Sequence, residues 1–257
     1  MSILDSFRLD GRVAVVTGAG KGIGRAIAIA LAEAGADVAL GARTLADLEA
    51  VAGEIRALGR KAIAVTTDAT DRAALEALAS RASAELGTIS IWVSNAGGIP
   101  DGTPRYLTKT AEEHWDAQIN LNLKAVWMGA VVAAAQMKDD GGVIINVSSR
   151  ASYGPQVKNG PYGAAKAAVN SLTATLSHEL APKIRVNAVA PGPIPTENFD
   201  DCMGTDSEEK REQLLAMMRI PLKRYGREAD IAAATLFLAS PASSWVTGQC
   251  LFVTGGL

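Results

Sequence analysis

Tyr162 and Lys166 stand four residues apart in Tyr162-Gly-Ala-Ala-Lys166, inside an Ala-rich run of helical spacing. Four residues is close to one helical turn, so the two side chains share a face. A phenol with its ordinary pKa of about 10 is a poor proton carrier at neutral pH, and an adjacent ammonium lowers that value by favouring the phenolate. The pair is therefore suited to moving a proton on and off an oxygen. Ser149, 13 residues upstream at the end of a β-branched run, offers a hydroxyl that can hold a substrate oxygen. Near the start of the chain, Thr17-Gly18-Ala19-Gly20-Lys21-Gly22-Ile23-Gly24 follows another such run and has the form Gly-x-x-x-Gly-x-Gly. Gly18 suits a tight turn, Gly22 lets backbone approach a pyrophosphate, and Gly24 allows a helix to pack closely on a strand.

Those residues need a scaffold, and the hydrophobic pattern supplies one. Short β-branched runs alternate with Ala- and Leu-rich segments of helical period, the sequence form of a parallel sheet covered by helices. Strands are predicted over 12–17, 37–42, 62–66, 90–94, 142–148, 185–190 and 250–253, about seven in all. Helices are predicted over 23–34, 45–58, 71–86, 111–138, 162–180, 208–218 and 228–239, the first three closed by Gly35, Gly59 and Gly87. The strand runs are continuously apolar, as expected when both sheet faces are covered. The expected fold is α/β: a single-domain, Rossmann-like, doubly wound parallel sheet over residues 1–257 with helices on both faces. The long connections, 95–110 and 191–226, are where function concentrates.

Composition narrows the function class. With 257 residues, 48% hydrophobic and 20% charged, the chain is long enough to bury a full core without a staple. A net charge of −2 and a pI near 5.8 give no electrostatic footprint for nucleic acid or an anionic membrane. Cys202 and Cys250 form no metal-binding pair and no disulfide framework. Of the two, Cys202 falls in the 191–226 connection and reads as an inert thiol. His114 and His178 are lone histidines, so no metal is expected. The N-terminal stretch is mixed polar with no apolar core of a leader. A reduced, soluble, cytoplasmic protein with neither nucleic-acid nor membrane partner is expected.

Taken together and in order, Thr17-Gly-x-x-x-Gly-x-Gly24, Asn95-Ala96-Gly97, Asn122 in Leu-Asn-Leu-Lys, Ser149, Tyr162-x-x-x-Lys166 and Pro191-Gly192 resemble the short-chain dehydrogenase/reductase family over nearly the whole chain. The resemblance implies a nicotinamide dinucleotide held by Gly18, Lys21, Gly22, Ile23 and Gly24. It implies Tyr162 as acid/base, Ser149 orienting the substrate oxygen, and Lys166 lowering the phenol pKa while binding the ribose. Asn122 corresponds to the residue supporting a water-linked proton path to that lysine. Asp68, with Ala69 beside it, resembles the adenine contact, and Asn95 with Ala96 and Gly97 the central-strand anchor near the ribose. Pro191-Gly192-Pro193-Ile194-Pro195-Thr196 resembles the segment that receives the carboxamide, through Ile194 and Thr196.

The choice of dinucleotide has a physical side. Asp37 lies about 20 residues after the glycine loop but at the wrong end of its strand. At the carboxyl end the chain reads Ala42-Arg43-Thr44, with Ala42 where NAD-preferring relatives often carry Asp. Arg43 can pair with a 2′-phosphate, and Lys21 adds a second cation. NADP(H) is expected as the preferred cofactor, with NAD(H) possible. The resemblance implies a small-molecule ketone or alcohol as substrate, and Phe199, Met203, Leu214, Leu215, Met217 and Met218 in 191–226 read either as a small satellite core or, more sharply, as a lid covering an apolar substrate. The family also implies a homotetramer. Ser94 and Thr254 depart from its usual Asn and Asp. Competing readings are an NAD-linked hydroxysteroid-type dehydrogenase, a β-ketoacyl thioester reductase, a nucleotide-sugar epimerase or dehydratase, an enoyl reductase, and a silent dinucleotide-binding sensor.

Overall fold

A computed structural model describes residues 2–196, 199–200, 203–205 and 207–257. Seven strands form one sheet: β1 (Val13–Thr17), β2 (Asp37–Ala42), β3 (Ala62–Thr66), β4 (Ile89–Ser94), β5 (Gly142–Val147), β6 (Ile184–Pro191) and β7 (Cys250–Val253). Their order is β3-β2-β1-β4-β5-β6-β7, and every pairing is parallel. The fold class expected from the hydrophobic pattern is the one observed.

The helices are α1 (Gly22–Glu33), α2 (Leu45–Ala57), α3 (Arg72–Glu85), α4 (Glu112–Ile119), α5 (Ala125–Met137), α6 (Gly160–Glu179), α7 (Glu208–Met218) and α8 (Glu228–Ala239). Ile27 and Leu31 of α1, Leu48 and Ile55 of α2, and Ile231 and Leu238 of α8 build a core on one face of the sheet. Leu75 and Leu78 of α3, Met128 and Met137 of α5, and Leu176 of α6 build a second core on the other face, around the fully buried Trp92. Gly35, Gly59 and Gly87 end their helices with φ of +111°, +79° and +111°, a region costly for any residue with a Cβ.

The continuous helix expected over 111–138 needs correction. Between α4 and α5, Asn120–Lys124 forms a π turn, in which the Ala125 N–H reaches back to the Asn120 carbonyl. The composition of Asn-Leu-Asn-Leu-Lys suits an ordinary helix, so periodicity alone cannot find the turn. Single π turns inside α-helices are frequently found at functional sites.

β1 and β4 are adjacent and their crossovers run in opposite directions, so a crevice opens at their carboxyl ends, where ligands bind in doubly wound sheets. The chain segments leaving β1, β4, β5 and β6 all emerge there.

Candidate active site

The glycine loop leaves β1 and is tied to the end of β4. The Thr17 hydroxyl accepts from the Asn95 and Ala96 amides, each at 3.1 Å. The Asn95 side-chain amide donates to the carbonyls of Thr17 at 3.0 Å and Gly18 at 3.1 Å. A Cβ at Gly24 would collide with the Gly18 carbonyl oxygen and the Asn95 amide. Gly22 has a φ of +52°, and a Cβ there would stand 3.2 Å from the Thr196 methyl. These contacts leave a cradle of bare backbone at the start of α1, the form a pyrophosphate requires.

Ser149 leaves β5 in an extended conformation (φ −165°, ψ 155°) and caps the short turn Arg150–Ser152, its hydroxyl accepting from the Ala151 N–H at 3.1 Å. Tyr162 and Lys166 project from the first turns of α6. Lys166 is only 3% exposed and donates its ammonium to the Val147 carbonyl at 2.9 Å. Burial pushes its pKa down from 10.5 to about 8. The ammonium lies 5.8 Å from the centroid of the Tyr162 ring.

Asn122 sits in the π turn, fully buried. Its amide donates to the Gly98 carbonyl at 2.8 Å and to Gln118, while its oxygen accepts from the Gly98 N–H at 2.9 Å. A Cβ built on Gly97 would be 3.1 Å from the Asn122 oxygen and 3.2 Å from the Lys166 nitrogen. Glycine at 97 is what lets both groups close on the same point.

One cavity of about 1100 Å³ joins these parts. Its wall includes the glycine-loop residues expected to hold a dinucleotide, Asn95–Gly97, Ser149, Tyr162, Lys166, and Pro191, Gly192, Ile194 and Thr196. A family model described as "Enoyl-(Acyl carrier protein) reductase" matches residues 18–257. A short-chain type dehydrogenase/reductase from Mycobacterium marinum superposes with a TM-score of 0.90 at 37% identity, covering 99% of this chain and 98% of that one.

The chain belongs to the short-chain dehydrogenase/reductase family. The 7α-hydroxysteroid dehydrogenase of Escherichia coli K12 is 39% identical over 254 residues, 98% of this chain and 96% of the relative. A solved 7α-hydroxysteroid dehydrogenase, complexed with NADH and 7-oxo glycochenodeoxycholic acid, matches with a TM-score of 0.91 at 38% identity, covering 100% of this chain and 98% of that one.

Other expected residues of this short-chain dehydrogenase/reductase lie outside the cavity wall. Arg43 and Thr44 are exposed at the end of β2, and Asp68 and Ala69 follow β3, with Asp68 exposed. The Asp68 carboxylate accepts from the Thr70 hydroxyl at 2.7 Å and the Thr70 amide at 2.8 Å, which holds its pKa below the ordinary carboxylate value; the nearby charge of Arg43 adds to the shift. Lys21 lines the cavity but has the Asp47 carboxylate 3.8 Å away. Asp37 pairs with Arg60 at 2.8 Å and accepts from the Lys61 amide at 2.9 Å at the far end of β2, as its placement in the sequence suggests.

Of the apolar residues expected on the lid, Phe199, Met203 and Met218 line the cavity, whereas Leu214, Leu215 and Met217 do not. Cys202 lies outside the described residues. Asp200 and Arg211 also line the cavity, joined by two hydrogen bonds of 2.5 and 3.1 Å, and the Tyr225 hydroxyl donates to the Arg211 carbonyl at 2.7 Å. The sequence reading does not single out Asp200, Arg211, Gln156 or Glu228, because no motif or period marks them. Burial pushes the Cys250 thiol up to about 11, so it is unreactive. Among the described residues no cluster of His, Cys, Asp and Glu is arranged to hold a metal ion, and no helix is long and apolar enough to cross a membrane.

Proposed function

We propose that this chain is an NADP(H)-dependent oxidoreductase that interconverts a ketone and a secondary alcohol. The observation that carries the reading is the buried Lys166 ammonium beside Tyr162, in one cavity with Ser149 and the glycine cradle. The cradle fits a dinucleotide, since Gly18, Gly22 and Gly24 leave no side chain where the phosphates would lie, with Asn95, Lys166, Ile194 and Thr196 toward the ribose and carboxamide. When bound, the nicotinamide supplies the hydride for reduction or accepts it for oxidation.

The remaining chemistry belongs to the protein. Ser149 donates a hydrogen bond to the substrate oxygen, which strengthens as negative charge develops there. Tyr162 delivers a proton to that oxygen during reduction and takes it back during oxidation. Lys166 carries three N–H groups, of which Val147 takes one. Its charge favours the phenolate left after proton delivery. Asn122 is a positioning residue that fixes Gly98 and, through Gly97, the wall beside Lys166. Phe199, Met203 and Met218 give the 191–226 lid an adaptable apolar surface.

The test is a panel of ketones assayed by NADPH consumption. Tyr162→Phe keeps the ring but loses the proton, and turnover should fall by roughly 10²–10⁴ with dinucleotide affinity kept within about twofold. A variant with near-parental turnover removes Tyr162 from the mechanism.

A second reading, an NAD-linked hydroxysteroid-type dehydrogenase, is favoured by the 7α-hydroxysteroid dehydrogenase matches and by Asp47, which offsets the Lys21 charge. Enoyl reduction fits less well: enoyl reductases of this superfamily place the lysine seven residues after the tyrosine, where Val169 stands here. We also read the chain as a cytoplasmic homotetramer. Trp115, Trp127, Leu251 and Phe252 are 37–43% exposed on α4, α5 and β7, which supports pairing of these surfaces between copies. Light scattering should give about four times 26.6 kDa, and a monomer at micromolar concentration overturns that assembly.

A further inference from the structure

Asn170 lies on α6 one turn beyond Lys166, so Tyr162, Lys166 and Asn170 follow one slowly drifting stripe of the helix. Its oxygen accepts from the Ser148 hydroxyl at 2.6 Å, and its nitrogen donates to the Ser152 hydroxyl at 2.9 Å. The Ser152 hydroxyl itself donates to the Ser149 carbonyl at 2.7 Å, and its backbone N–H donates to the same carbonyl at 2.9 Å. Ser148 and Ser152 are therefore the two ends of the turn that aims Ser149, and one amide grips both.

The direction of each bond follows from the donor inventory. The single hydroxyl hydrogen of Ser152 is committed to the Ser149 carbonyl, so its oxygen must accept, and only the amide nitrogen of Asn170 can donate to it. The Asn170 oxygen is then left to face Ser148 and, at 3.3 Å, the thiol of Cys250. An aspartate of the same shape lacks the N–H that this network needs.

We infer that Asn170 is a positioning residue that fixes the Ser149 turn against the helix bearing Tyr162 and Lys166. Asn170 does not itself line the cavity but grips Ser148, which does, and its catalytic consequence rests on the reading of Ser149 under Proposed function.

Two variants and two readouts test this. Asn170→Asp keeps the acceptor toward Ser148 and removes the donor toward Ser152; Ser152→Ala cuts the same link from the other end and with it the hydroxyl bond to the Ser149 carbonyl. Amide hydrogen exchange in the protein without ligand should be at least about fivefold faster over Ala151–Tyr153 in each variant, with α1 and the first turns of α6 unchanged. In the ketone assay each variant should lose about tenfold in kcat with KM and dinucleotide affinity within about twofold. Because both act through one link, the double variant should also lose about tenfold, not a hundredfold. Unchanged exchange over Ala151–Tyr153, or additive losses in the double variant, overturns the inference. If Asn170→Asp does not fold, exchange in Asn170→Ala, which leaves the Ser152–Ser149 bond in place, decides it. A parent protein that reduces no ketone refutes the proposed function, while the exchange data still decide whether Asn170 holds the turn.

Discussion

The buried ammonium of Lys166 should make the protein without dinucleotide less stable than an uncharged group there would, by an amount the pKa sets. In the unfolded chain the group ionises near 10.5, and in the fold near 8. At about 1.4 kcal/mol per tenfold change in proton affinity, the gap corresponds to roughly 3 kcal/mol. Below pH 8 both states carry the charge and the folded state bears the full desolvation cost; above pH 10.5 neither state is charged and the cost is gone. Stability should therefore rise with pH through that window, by about 2 kcal/mol between pH 7 and pH 9.5 for this group alone. Lys166→Met, similar in length and uncharged, removes that dependence. The variant also strips the Val147 carbonyl of its donor, a loss of about 1–3 kcal/mol, but that loss is the same at every pH. The informative quantity is the difference between variant and parent. Urea unfolding without dinucleotide, at fixed protein concentration, should show the variant gaining on the parent by about 2 kcal/mol more at pH 7 than at pH 9.5. Parallel stability curves, or a gap that widens with rising pH, would refute the assignment of a desolvated charge to Lys166.

Two further outcomes follow from the cofactor side. Arg43→Asp replaces an exposed cation at the end of β2 with a carboxylate that repels a 2′-phosphate and accepts from a ribose hydroxyl. Fluorescence titration should show NADPH binding weakened by about tenfold or more and NADH binding strengthened, whereas equal NADPH and NADH affinities in the parent would sink the electrostatic basis of the NADP(H) preference. Gly24→Ala drives a methyl into the Gly18 carbonyl and the Asn95 amide, so the loop must shift. Calorimetry should find dinucleotide binding lost and the fold weakened by about 1–3 kcal/mol, and a variant that binds normally would show that the cradle is not the phosphate site.

Much of this was legible in the residues, for identifiable reasons. Strands such as Val13–Thr17 and Ile89–Ser94 are buried on both faces, so they read as unbroken apolar runs bounded by glycine or polar turns. Gly18, Gly22 and Gly24 were legible because each occupies a place where a Cβ is excluded or strained, which leaves a fixed trace in sequence. The π turn was not, since it arises from a tertiary cause: Asn122 bonding the backbone of Gly98, 24 residues away. Asp200 and Arg211 were equally hidden, because an ion pair across an irregular segment has no period to reveal it. Arg43 was visible as a charge, but its exposure and its neighbourhood with Asp68 were not.

The same contrast explains why the reaction reads more clearly than the substrate. At the dinucleotide end the determinants are backbone geometry: a left-handed glycine, a carbonyl with no room beside it, an asparagine bonded to two main-chain oxygens. Few sequences satisfy such constraints, so the pattern identifies the chemistry. At the opposite end much of the wall comes from side chains on the 191–226 connection, where Phe199, Met203 and Met218 are of types that suit many apolar shapes. Among the described residues there, the Asp200–Arg211 pair presents nearly balanced charge to the cavity and keeps Arg211 engaged. An anionic substrate would have to displace Asp200 from Arg211 to gain that cation, exchanging one carboxylate for another at little net benefit. Under the proposed function, in which Ser149 and Tyr162 hold the reacting oxygen, such a wall suits a substrate recognised chiefly through its apolar surface and that oxygen.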